Sequence, residues 1–131
     1  MEFFLLLLVS FLFGGMLLFS VGFGTLSFKL LQPEVARKFI RKTFPYFYGY
    51  VFCASALICL ISINISTTIF SVGLVICVTT VPTALLIMPA INKASDKKQR
   101  KNFIMLHTMS VLITILHIIG CAALLYLILE K

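Results

Sequence analysis

From Thr43 to Asn92 the chain runs for about fifty residues without a single Asp, Glu, Lys or Arg. A small water-soluble domain cannot hide so long an uncharged, mostly apolar stretch, because much of its surface stays in contact with water. Hydrocarbon accepts it readily. A helix rises about 1.5 Å per residue and the bilayer core is about 30 Å thick, so about 20 apolar residues make one crossing. The stretch is therefore long enough for two crossings and a turn. Its most polar part, Ser62, Asn64, Ser66, Thr67 and Thr68, is expected to be the outer turn of a helical hairpin.

Two further apolar runs flank this hairpin, and together they predict an all-α four-helix transmembrane bundle, a single domain over residues 1–131. The expected spans are about 3–28, 44–63, 69–90 and 103–129, joined by cytoplasmic loops at about 29–43 and 91–102. Composition agrees: 61% of the residues are hydrophobic and 11% charged, against about half and about a quarter in a soluble domain. Glu2 precedes the first run, no basic residue does, and the run lacks a small-residue cleavage site. It reads as a retained span rather than a signal peptide.

The net charge of +7 is concentrated at the joints: every Lys and Arg except Lys131 lies between Lys29 and Lys42 or between Lys93 and Lys101. Basic segments beside spans mark the cytoplasmic side and its anionic lipid surface, so both termini are expected to be non-cytoplasmic and nucleic acid is not the partner. The abundance of Lys, Ile and Phe suggests a bacterial source, hence an inner-membrane location. After Pro33, the apolar Val35, Ala36, Phe39 and Ile40 alternate at helical spacing with Glu34, Arg37, Lys38 and Arg41, which predicts a short interfacial helix between the first two spans. Phe44, Tyr46, Phe47, Tyr48 and Tyr50 follow it as an expected aromatic belt at the headgroups.

Gly14, Gly15 and Gly22 give the first span a small-residue face on which another helix can pack, either within the chain or from a second copy or a membrane-complex partner. Pro82 and Pro89 each remove a backbone hydrogen bond from the third span, with Thr79, Thr80 and Thr83 nearby, and predict a kink.

The acidic residues Glu2, Glu34, Asp96 and Glu130 all fall outside the expected spans, which excludes carboxylate proton relays and paired-carboxylate hydrolysis. GxSxG, HExxH and Gly-rich phosphate-loop patterns are absent, so an enzyme is not expected. The most informative pattern lies in the fourth span. His107, Ser110, Thr114, His117 and Cys121 recur three or four residues apart and form one polar stripe. Polar groups in lipid need partners, so the stripe should face the bundle interior, either as helix-to-helix hydrogen bonds or as a ligand site. Asn92, His107, Ser110 and Thr114 are the candidate ligand-binding residues.

Ten residues separate His107 from His117, about 15 Å along a helix, so the two cannot share one ion. Cys59, Cys77, His117 and Cys121 fall at comparable depths in the outer half of their spans, and their soft donors would suit copper(I). The four cysteines form no CxxC pair, so a disulfide framework or zinc ribbon is not expected, and buried structural thiols are the simpler reading.

Taken in order, Gly14-Gly15-Met16, Phe44-Pro45-Tyr46-Phe47, Pro89-Ala90-Ile91-Asn92, and Phe103, Leu106, His107 and Ser110 resemble the transmembrane protein 205-like family, a four-helix membrane domain of unknown function. The resemblance implies a membrane location, no enzyme chemistry and, through the animal member, an association with resistance to platinum drugs. Members of that family tend to carry Asn where this chain has Thr114. The Gly-Gly opening and an intramembrane histidine are also similar to copper-resistance D proteins and the membrane-bound protoporphyrinogen oxidase, which would imply copper or haem. The first-span histidine of those families is missing here, which counts against haem. The sequence thus predicts a non-enzymatic protein that binds or moves a small ligand or supports a membrane assembly. A metal- or haem-handling redox protein is the alternative.

Overall fold

The computed structural model describes residues 2–130. Every secondary-structure element among them is helical, and they assemble into four helices, each long and apolar enough to cross a membrane. We label these α1 (Glu2–Leu30), α2 (Pro33–Ser62), α3 (Thr67–Asp96) and α4 (Arg100–Leu129). This is the architecture of a multi-pass membrane protein. The connections are short: residues 31–32, 63–66 and 97–99.

Local chemistry accounts for the helix ends. Pro33 opens α2, where its missing N–H would have no intrahelical partner in any case, and Glu34 lies in the same first turn. The Ser66 hydroxyl accepts from the Ile69 N–H and caps the start of α3. At the far end of α3, Gln99 N donates to Ala94 O and Lys98 N to Ser95 O, the paired bonds of a Schellman cap. The residue in the left-handed conformation there is Lys98, with φ 54°, where glycine is usual.

The basic segment after Pro33 does not form a separate helix. Residues 33–43 are the first turns of α2, which continues unbroken to Ser62. Pro45 lies inside α2 without ending it. Sequence spacing shows that a segment is amphipathic and helical but says nothing about whether it bends away from the helix that follows.

The core occupies one half of the bundle. Leu5, Val9, Leu12 and Met16 of α1 meet Val51, Ala54 and Ile58 of α2, Ile69 and Ile76 of α3, and Cys121, Leu124 and Ile128 of α4. The hairpin of α2 and α3 is packed most tightly at Gly73, where a Cβ would stand 3.0 Å from Ile58 Cγ2 and 3.2 Å from Cys59 Sγ.

Two helices change character at π-helical turns. In α1 the turn spans Leu18–Phe23 and ends with Gly24 N bonding Phe19 O. Before it, α1 packs on both α2 and α4. Beyond it, α1 continues beside α2 without comparable packing on α4. Aromatic rings hold that course: Phe19 stacks on Phe47 at 4.4 Å and on Phe23 at 5.1 Å, and Phe23 meets Phe39 at 5.1 Å. In α3 the π turn is Thr83–Ile87, between Pro82 and Pro89. The prolines remove backbone donors, the Met88 N–H reaches Thr83 O, and the Thr83 hydroxyl donates to Thr79 O at 2.7 Å. The first half of α3 packs on α2 and its last turns on α4.

Candidate functional site

Because α1 stays with α2 and the end of α3 goes with α4, the bundle opens at the end that carries the basic segments. The opening is a cleft of about 1000 Å³, at the upper end of the range usual for small-ligand pockets. Ser20, Gly24, Thr25 and Phe28 form the α1 wall, and Arg37, Arg41, Phe44 and Phe47 the α2 wall. Met88, Ile91 and Asn92 come from α3; His107, Ser110, Val111 and Thr114 come from α4. All four candidate ligand residues, Asn92, His107, Ser110 and Thr114, thus line one space.

Their surroundings differ. The Ser110 hydroxyl is buried and lies 3.3 Å from Tyr48 Oη. Thr114 donates to Ser110 O at 3.1 Å. His107 is exposed, with its ring stacked parallel on Phe103 at a centroid separation of 5.5 Å. The Asn92 carbonyl accepts from the Arg41 guanidinium at 3.3 Å, and the same guanidinium pairs with Asp96 at 2.6 Å, linking the start of α2 to the end of α3.

Deeper in the bundle, His117 is buried with Nε2 2.7 Å from Thr79 Oγ1. That hydroxyl also lies 2.6 Å from Val75 O. A hydroxyl has one proton and a carbonyl can only accept, so the Thr79 proton goes to Val75 and the His117 ring donates through Nε2–H. The polar stripe of α4 therefore does two jobs: its first half faces the cleft and His117 ties α4 to α3.

The expected soft-metal grouping of Cys59, Cys77, His117 and Cys121 is not assembled. Among the described residues, no three His, Cys, Asp or Glu side chains stand close enough to hold one ion. Cys59 points its thiol at Phe70 O, 3.8 Å away, and Cys121 is fully buried in the core. Equal depth along separate helices does not bring side chains together, because each helix can present any face to its neighbours.

A family model described as a domain of unknown function, DUF4149, matches residues 7–100. The chain belongs to this family. No curated protein and no solved structure matches it. The DUF4149 match covers most of α1 and all of α2 and α3, and with them the Asn92 side of the cleft and its basic rim. His107, Ser110 and Thr114 lie on α4, beyond the matched residues.

The aromatic residues at the start of the second span, expected to form an interface belt, are not all exposed. Tyr46 is 80% exposed, but Tyr48 is 6% exposed and its hydroxyl meets Ser110. The Tyr50 hydroxyl turns inward to the Phe11 carbonyl, lying over Gly15. Phe19, Phe44 and Phe47 hold α1 in place and so help shape the cleft, a role no local spacing signals.

Proposed function

We propose that this DUF4149 protein is a non-enzymatic membrane protein that binds a small ligand in the cleft between its basic helix ends, with Asn92, His107, Ser110 and Thr114 as the polar contacts. One observation carries the reading: four polar residues chosen from sequence line a single large cleft whose other walls are mostly apolar. Of these, the His107 ring is exposed, and a polar ring at membrane depth is costly unless something meets it. In this reading the basic ends face the cytoplasm and both termini the opposite side of a bacterial inner membrane, as the clustering of Lys and Arg supports. The narrower kinship with transmembrane protein 205-like proteins belongs to the same proposal, and rests on the motifs shared in order along the chain.

The test is an Asn92→Ala/His107→Leu variant of the full chain, which spares the buried Ser110–Tyr48 contact, purified in mild detergent beside the parent and extracted for co-purifying small molecules. The variant is expected to lose a compound that the parent retains while keeping its thermal midpoint. Identical extracts from two equally stable proteins would overturn the reading.

A further inference from the structure

The charge on the cleft is one-sided. Arg37, Arg41, Lys98 and Arg100 line it, and no Asp or Glu does. Arg41 is paired with Asp96, whereas Arg37, Lys98 and Arg100 have no carboxylate within ion-pair distance among the described residues. Lys98 is notable for its backbone as well. It occupies the left-handed position of the α3 cap, which a side chain tolerates poorly and glycine readily, yet it contributes to the cleft. A lysine standing where the backbone favours glycine directs attention to its side chain.

Beyond this rim the cleft turns apolar. Val21 and Phe28 of α1 face Val111, Ile115 and Ile118 of α4 across the gap where those helices separate. Val21, Phe28, Val111 and Ile115 are exposed in the protein alone. Within a bilayer such a gap opens sideways into the acyl chains. A soluble anion would satisfy the rim and leave this wall bare, and a neutral oil would do the reverse.

We propose that the cleft holds an anionic phospholipid drawn from the surrounding bilayer, its phosphate at the rim of Arg37, Lys98 and Arg100 and its acyl chains along the wall between α1 and α4. The inference rests on the ligand-binding reading above and names the class of ligand. Basic pockets between spans on the cytoplasmic side are suited to anionic headgroups, and guanidinium groups to the paired oxygens of a phosphate. His107, Ser110 and Asn92 then face the glycerol and ester region between headgroup and chains.

Native mass spectrometry of the full chain in mild detergent, incubated with equal amounts of phosphatidylglycerol and phosphatidylcholine, tests this. The parent is expected to retain phosphatidylglycerol in preference by roughly a hundredfold, the product of about fivefold for each of the three cations. Arg37→Gln/Lys98→Gln/Arg100→Gln should weaken that retention by roughly a hundredfold, at about fivefold per cation, and leave phosphatidylcholine unchanged. Lys98→Gly, which removes the cation and relieves the backbone, should lose about fivefold without loss of stability, and so guards against a triple variant that folds badly. Gly24→Phe should expel both lipids, since a Cβ there meets nothing nearer than Phe19 O at 3.9 Å and the ring fills the cleft. Excess inorganic phosphate should not displace the bound phosphatidylglycerol. If it does, the site is one for a soluble anion and the proposal fails. Equal retention of both lipids, abolished by Gly24→Phe, would sink the anionic headgroup and leave the ligand reading standing. Lipid retention indifferent to every variant would overturn both.

Discussion

At the scale of single residues, the tightest constraint lies where Tyr50 crosses Gly15. A Cβ added to Gly15 would collide with the Tyr50 hydroxyl and stand 2.7 Å from Cζ and 2.9 Å from Cε1, and the ring cannot retreat without releasing the Phe11 carbonyl. Gly15→Ala should therefore destabilise the protein by about 1–3 kcal/mol, the usual range for an overpacked interior. Gly14→Ala, one position away with nothing within 4 Å, should be neutral or slightly stabilising. Thermal midpoints of the two variants in one detergent check the contrast, and equal shifts would contradict it. The His117 to Thr79 bond is a second residue-scale link. A double-mutant cycle with His117→Leu and Thr79→Val should return a coupling of about 0.6 kcal/mol, the average for hydrogen bonds between membrane helices. Thr79→Ser should keep that coupling, since the hydroxyl is retained.

At the scale of elements, the ends of α2 and α3 are tied by Arg41 and Asp96, whose side chains are 33% and 62% exposed. Solvent screens a pair so open, so Asp96→Asn should lower stability by under about 1 kcal/mol, and less in high salt. Denaturant titrations at two salt concentrations measure it, and a loss several times larger would mean that the pair is shielded in the membrane. The four helices themselves were legible in the sequence, because apolar runs such as 103–129 have no other stable environment and Ser62 to Thr68 marks the hairpin. Pro82 and Pro89 announced a disturbance in α3, and it takes the form of the π turn at Thr83–Ile87. Its counterpart at Leu18–Phe23 carries no such sign. The turn contains no proline, and its rings find their partners on α2 only once the two helices are side by side. The cleft was hidden for a related reason: Phe28, Val111 and Ile115 are as apolar as residues that face lipid, so hydropathy cannot tell the wall of a cavity from the outside of the bundle. Polar residues are the exception, which is why Asn92, His107, Ser110 and Thr114 could be picked out while their neighbours could not.

At the scale of the whole molecule, the order of spans and the grouping of cations give an expected sidedness. Reporters inserted in residues 31–32 and 63–66 should score on opposite faces of the membrane, the first with the cytoplasmic marker, as the positive-inside tendency requires. Scoring on one face would break the topology, and an exchange of the two would invert it. The bundle is closed around Leu5, Val9 and Leu12 and parted beyond Leu18–Phe23, so it tapers like a wedge. A wedge of this kind gapes toward one monolayer alone. If the proposed ligand lodges there, it cannot travel on to the far face unless α1 peels away from α4 along its buried leucines, and the cleft would then be a receptacle, filled and emptied through the same door.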